Sequence, residues 1–146
     1  MARAYTSSVI AAPAAEVWKI LRDFNGLAQW TGFVNDSRIE NMMRADQVGC
    51  IRSFRLKDGG VIREKLLALS DYEMSCTYSI LESPIAVTDY VATLSLTPVT
   101  DGNHTFAQWQ ADFDCPAAQE QDLIRHIGGN VFQSAFSALK KQLSGR

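Results

Sequence analysis

The sequence predicts an α+β fold: one curved antiparallel sheet of seven strands wrapped around a long C-terminal helix, with two short helices after strand 1. Three observations predict it. Between residues 34 and 114, six runs of apolar–polar alternation follow one another with only turn residues between them. Strands so close in sequence pair antiparallel, because a parallel neighbour needs a crossover of a dozen or more residues. After Pro116 the period becomes helical and holds to about Leu143.

The elements follow in order. Residues 3–10, with Tyr5, Val9 and Ile10 among threonine and serines, form the first strand. Ala11-Ala12-Pro13 opens a helix, where proline is tolerated in the first turn. Val17, Leu21 and Phe24 recur at helical spacing until Asn25-Gly26 stops the run, and a second short helix spans Leu27 to Trp30. Strands are expected at 34–40, 47–56, 61–70, 74–82, 87–97 and 104–114. Turn chemistry separates them at Lys57-Asp58-Gly59-Gly60, Ser70-Asp71-Tyr72-Glu73, Glu82-Ser83-Pro84 and Thr100-Asp101-Gly102-Asn103. The last helix carries a stripe of Ile124, Ile127, Val131, Ala135 and Leu139, broadened by Phe132 and Phe136. Gly128-Gly129 in its middle costs roughly 1 kcal/mol per residue relative to alanine. Either close packing on the sheet or a bend that makes room for a guest would explain the pair. A twisted sheet and one helix do not fill the space between them, so an apolar cavity is expected there.

With 146 residues, the chain reads as one domain over 1–146, long enough for a real core. A formal charge of −2 argues against nucleic acid or an anionic membrane as the main partner. No apolar segment has the length of a membrane span or the layout of a signal peptide, so stable membrane insertion is not expected. Cys50, Cys76 and Cys115, odd in number and widely spaced, read as reduced cysteines of a cytoplasmic protein. The oligomeric state is not legible.

Two charges stand where alternation asks for apolar side chains. Arg52 shares a strand face with Cys50, Phe54 and Leu56, and Glu64 shares one with Ile62, Leu66 and Ala68. Buried charges are expensive unless paired or wetted, so a polar spot inside an apolar enclosure follows. If the intervening hairpin uses the three-residue loop Lys57-Asp58-Gly59, Arg52 lies directly opposite Glu64. A two-residue loop would put them on opposite faces.

The order of elements resembles the START-like (SRPBCC) superfamily, and within it the bacterial polyketide cyclase/dehydrase and lipid-transport group. The residues that carry the resemblance are Val48-Gly49-Cys50-Ile51-Arg52, Asp58-Gly59-Gly60, Glu64-Lys65-Leu66, Tyr78-Ser79-Ile80, Pro84 and Tyr90-Val91-Ala92-Thr93. Trp109, five residues before Asp114-Cys115-Pro116, completes them. The resemblance implies a helix-grip fold with a ligand cavity into which the positions of Arg52 and Glu64 point. It does not fix a reaction, since the superfamily holds carriers, receptors and cyclases. Plant hormone receptors of the superfamily place a lysine after the second short helix and a proline-containing gate loop. Here Trp30-Thr31 and the short hairpin Lys57–Gly60 stand instead, so neither a hormone-receptor role nor a carboxylate ligand is expected.

The expected ligand contacts are Arg52, Phe54 and Leu56, then Glu64, Tyr78, Ile80, Tyr90, Ala92 and Trp109 on the sheet, and Ile127, Val131 and Ala135 on the helix. Arg52–Glu64 reads as a polar cross-link closing one end of the core, as recognition of a polar ligand group, or as acid–base machinery. The last ranks lowest, because an arginine lowers the pKa of its glutamate. Tyr78 and Tyr90 need hydroxyl partners, from each other, Glu64, water or a guest. Trp109, flanked on its face by Ala107 and Ala111, offers either core packing or a flat wall for an aromatic guest. His104 and His126 lack a third ligand at metal spacing, so no metal and no cofactor are expected. The expected function is a carrier or sensor of a small hydrophobic or aromatic molecule. The alternatives are a polyketide cyclase or dehydratase using the same cavity, against which stands the lack of an inward histidine or lysine, and a protein-interaction module of the chaperone-activator kind.

Overall fold

Alternation sorts each strand into a buried and an open side, and that sorting assembles the molecule. In the computed structural model, which describes residues 1–145, the strands are β1 (Ala2–Ile10), β2 (Val34–Ile39), β3 (Ile51–Leu56), β4 (Val61–Ser70), β5 (Ser75–Glu82), β6 (Thr88–Val99) and β7 (His104–Asp114). In β7 the residues Thr105, Ala107, Trp109, Ala111 and Phe113 are buried while their neighbours are partly open. Every neighbouring pair is antiparallel, and the order is β1-β7-β6-β5-β4-β3-β2. Successive hairpins thus build β2 through β7, and β1 returns to the far edge beside β7.

Two short helices, α1 (Ala14–Leu21) and α2 (Leu27–Trp30), follow β1 as expected. The first buries Ala14, Val17, Trp18 and Leu21, and is tied to the β4–β5 turn at Asp71. Both Trp18 Nε1 and Arg22 Nε donate to Asp71 Oδ1 at 2.8 Å.

Strand β3 begins four residues later than the alternation suggested. Pairing does reach back to Gly49, whose N–H donates to the Leu66 carbonyl at 2.8 Å. Gly49 itself sits at φ +96°, a left-handed turn that takes the chain out of the strand.

The C-terminal helix departs from expectation in its middle. After a 3-10 turn at Ala117–Gln119 come α3 (Glu120–Arg125), a π-helical stretch (His126–Gln133) and α4 (Ser134–Ser144). Its buried side chains are Leu123, Ile127, Phe132, Ala135, Phe136, Leu139 and Leu143, whereas Ile124 and Val131 are only half-buried. The wider turn lengthens the step from Ile127 to Phe132 to five residues, which is why the regular stripe misplaces Val131. Of the two glycines, Gly128 is the one against the sheet: a β-carbon there would lie 3.6 Å from the Tyr5 carbonyl oxygen. The Thr6 hydroxyl also donates to the Gly128 carbonyl at 3.1 Å. Around Gly129 the space is open. Gly129→Ala is therefore expected to raise stability by about 0.5–1 kcal/mol in a urea melt, by removing unfolded-chain entropy without a clash. A loss would mean that the π-helical stretch needs glycine at that position.

Candidate ligand cavity

The site starts from one hairpin. The Leu56 N–H donates to the Gly60 carbonyl at 2.8 Å, and the Gly59 N–H to the Leu56 carbonyl at 2.9 Å, with Gly59 at φ +97°. The loop is thus Lys57-Asp58-Gly59, and the register places Arg52 opposite Glu64. Both side chains are buried, each residue 5% exposed. Arg52 Nε donates to Glu64 Oε1 at 2.8 Å, its second amino nitrogen lies 2.6 Å from the same oxygen, and its first donates to the Phe24 carbonyl at 3.1 Å. The guanidinium lies 3.9 Å from the centre of the Phe24 ring and 4.7 Å from that of Tyr78. A flat, weakly hydrated cation tolerates such a setting better than an ammonium would.

Burial pushes the Glu64 carboxyl above the usual glutamate range, and the charge and hydrogen bond of Arg52 pull it back without cancelling that shift. This reverses the lowered pKa expected from an arginine neighbour alone: desolvation of a fully enclosed carboxylate is the larger effect. Burial likewise raises both tyrosine hydroxyls, so they stay neutral.

Next to the pair is an aromatic cluster. Trp109 Nε1 donates to the Tyr78 hydroxyl at 3.0 Å, and the Tyr78 and Tyr90 rings pack with centres 6.5 Å apart. Tyr90 stacks on Phe113 with ring centres 6.0 Å apart. Trp109 is not the open wall that its flanking alanines suggested. Phe132 covers it almost in parallel, with centres 4.2 Å apart and planes 8° from each other, and Phe136 and Trp30 pack at 5.7 and 6.0 Å.

A cavity of about 370 Å3 lies between sheet and helix. Arg52, Phe54, Leu56, Glu64, Tyr78, Ile80, Tyr90, Trp109, Ile127 and Val131 line it. Ala92 and Ala135 do not: both are 0% exposed and packed into the core, so a large residue at 135 would strain the core before it reached the cavity. Sequence reasoning missed Leu27, Thr31, Phe33, Lys57, Asp58, Pro84, Ile85, His126, Asn130 and Phe132 as lining residues. Ile62 lines the cavity as well, and it shares the face of Glu64, a signal that alternation already held. The five-residue step would have found Phe132; the loop residues carry no periodic signal. Lys57, Asp58, Pro84, His126 and Asn130 are the exposed part of the lining, so the cavity opens between the β3–β4 turn, the β5–β6 connection and the π-helical stretch. Arg52, Glu64, Tyr78 and Tyr90 form its buried polar part.

Among the described residues, no three of His, Cys, Asp and Glu come together in a way that could hold a metal ion. The three cysteines are free, and no helix of the described residues is long and apolar enough to cross a membrane.

Solved structures share this arrangement. The protein XoxI from Bacillus cereus is 27% identical, with a TM-score of 0.87 over 97% of this chain and 95% of that one. A putative uncharacterized protein from Bacillus thuringiensis is 26% identical, with a TM-score of 0.88 over 98% and 99%. A Thermobifida fusca protein solved by NMR is 27% identical, with a TM-score of 0.89 over 99% and 95%. A comparison with curated proteins finds no match. The family described as polyketide cyclase / dehydrase and lipid transport matches residues 1–144. The helix-grip architecture, the cavity under the long helix and this match across nearly the whole chain agree: the protein belongs to the polyketide cyclase / dehydrase and lipid transport family, within the START-like superfamily.

Proposed function

We propose that the protein binds a small, mostly apolar or aromatic molecule in the cavity between sheet and C-terminal helix, as a carrier or sensor. The observation that carries this reading is the cavity itself: about 370 Å3, walled mainly by aliphatic and aromatic side chains, with a few polar groups gathered in its buried part. That is the usual make-up of a small-molecule site. A single neutral fluorescent dye such as Nile red should bind with one-to-one stoichiometry. Val131→Trp tests the location, because Val131 is half-buried on the helix and its side chain lines the cavity. Dye affinity should fall about tenfold or more, since the indole takes up volume the guest needs. The circular dichroism should stay as it was. Unchanged affinity would place the dye elsewhere.

A second reading, a cyclase or dehydratase activity in the same cavity, is favoured by one observation. Burial holds the Glu64 carboxyl above the usual glutamate range, and Glu64 lines the cavity.

A further inference from the structure

Two polar groups on the cavity wall are left incompletely bonded, and they are complementary. An indole N–H can only donate, so in the Trp109–Tyr78 contact the Tyr78 oxygen is the acceptor. The Tyr90 ring packs beside that of Tyr78, with centres 6.5 Å apart. Tyr90 lines the cavity, and its hydroxyl has no carboxylate or carbonyl acceptor among the described residues. Glu64 shows the opposite deficit. Both near contacts of Arg52 fall on Oε1, and Oε2 receives no hydrogen bond from the described residues. The register brings the two together: Glu64 pairs with Ile80 on β5, and continuing the β5–β6 register sets Ile80 beside Tyr90. Their backbones are thus two strand spacings apart, about 10 Å, and both residues line the same cavity.

We propose that Glu64 and Tyr90 form a recognition point for one neutral hydroxyl group, so that the guest is an apolar molecule bearing a phenol or alcohol. This rests on the reading of the cavity as a binding site. A hydroxyl donates to Glu64 Oε2 and accepts from Tyr90, filling both vacancies with one atom. A carboxylate guest has no such place. The charge of Arg52 is already matched by Glu64, and the cation at the mouth, Lys57, is exposed to solvent. A second negative charge beside Glu64, in a setting of low dielectric, would be repelled. A guest without a polar group leaves both wall groups unbonded, which weakens binding as it does in other sites built to meet a hydroxyl.

Three ligands of one ring system test this by calorimetry at neutral pH: 2-naphthol, its methyl ether and 2-naphthoate. The naphthol should bind about tenfold or more tightly than the ether, with the naphthoate weakest. In Tyr90→Phe most of the preference for naphthol over ether should vanish while the ether keeps its affinity. The comparison within the wild-type protein needs no variant and stands even if Tyr90→Phe folds poorly. Equal binding of naphthol and ether would show that water serves Glu64 and Tyr90. The hydroxyl assignment would then fall and the cavity reading survive. Tightest binding of the naphthoate, or a naphthol preference untouched in Tyr90→Phe, would also overturn the assignment. Failure of all three ligands and of Nile red to bind would overturn both readings.

Discussion

Arg52→Met lowers stability by about 3–5 kcal/mol at neutral pH, and adding Glu64→Leu to the same chain restores most of the loss. The reason is the asymmetry between breaking a buried pair and deleting it. With Arg52 gone, Glu64 keeps the cost of leaving water and loses the cation 2.6 Å away that offset it. With both gone, that cost disappears as well. Recovery should be incomplete, because the Phe24 carbonyl loses the donor it meets at 3.1 Å, and an unmet buried acceptor costs about 1–3 kcal/mol.

The loss in Arg52→Met depends on pH, and its sign follows from Glu64. The carboxyl is already raised by burial, and Arg52 supplies the groups that lower it, so removing Arg52 raises it further. A carboxyl whose pKa is higher in the folded state contributes stability in full below its unfolded value, and loses that contribution as pH rises through the folded value. The stranded Glu64 can therefore relieve its cost by taking up a proton. The gap between Arg52→Met and the parent should be small near the ordinary glutamate pKa of 4.5, widen as pH rises, and then level off. Glu64→Leu alone has no such escape, since arginine does not release its proton, and its cost should be flat over the same range. Urea melts across a pH series resolve the two shapes. A gap independent of pH in Arg52→Met would mean that water reaches Glu64 freely, and losses that add in the double variant would mean that the pair is not coupled.

What the sequence disclosed and what it hid divide along physical lines. Sidedness was legible because strand periodicity is strict: Arg52 and Glu64 stood out as charges on apolar faces, and the hairpin loop length decided whether they met. The strands were legible for the same reason, through alternation and turn residues, and the short helices through helical spacing and the Asn25-Gly26 stop. The middle of the long helix was not. A π-helical stretch changes the period for only eight residues, and the apolar surplus there (Ile127, Val131, Phe132) satisfies either spacing. That local change decides whether Phe132 or Val131 faces the sheet. It therefore also decides whether Trp109 is covered or bare, and the sequence left that undecided. The cavity mouth was hidden for a different reason. Pro84, Ile85, His126 and Asn130 converge from separate loops and turns, and only tertiary packing puts them together.

Trp109→Ala is expected to cost about 3–5 kcal/mol, the usual range for truncating a buried tryptophan. The residue is 3% exposed and holds three aromatic neighbours, of which the Phe132 stack at 4.2 Å is the closest. Such pairs add about 0.5–1.5 kcal/mol beyond the apolar area they bury. The substitution also takes from the Tyr78 hydroxyl the N–H that donates to it at 3.0 Å. Yet Trp109 lines the existing cavity, so the space it vacates joins a void that already opens to solvent. A small molecule of the right shape should be able to refill it. Indole added to Trp109→Ala is expected to return part of the lost stability, about 2.7 kcal/mol at a hundred times its dissociation constant. The parent protein should gain less, because its own indole fills the place. 1-Methylindole carries the same ring without the N–H, so it should rescue the packing but not the bond to Tyr78, and recover less. Thermal melts with the two compounds separate these contributions. Equal rescue by both would show that the bond to Tyr78 adds nothing measurable. No rescue by either would show that Phe132 and Phe136 collapse onto the sheet and close the gap before a guest can enter it.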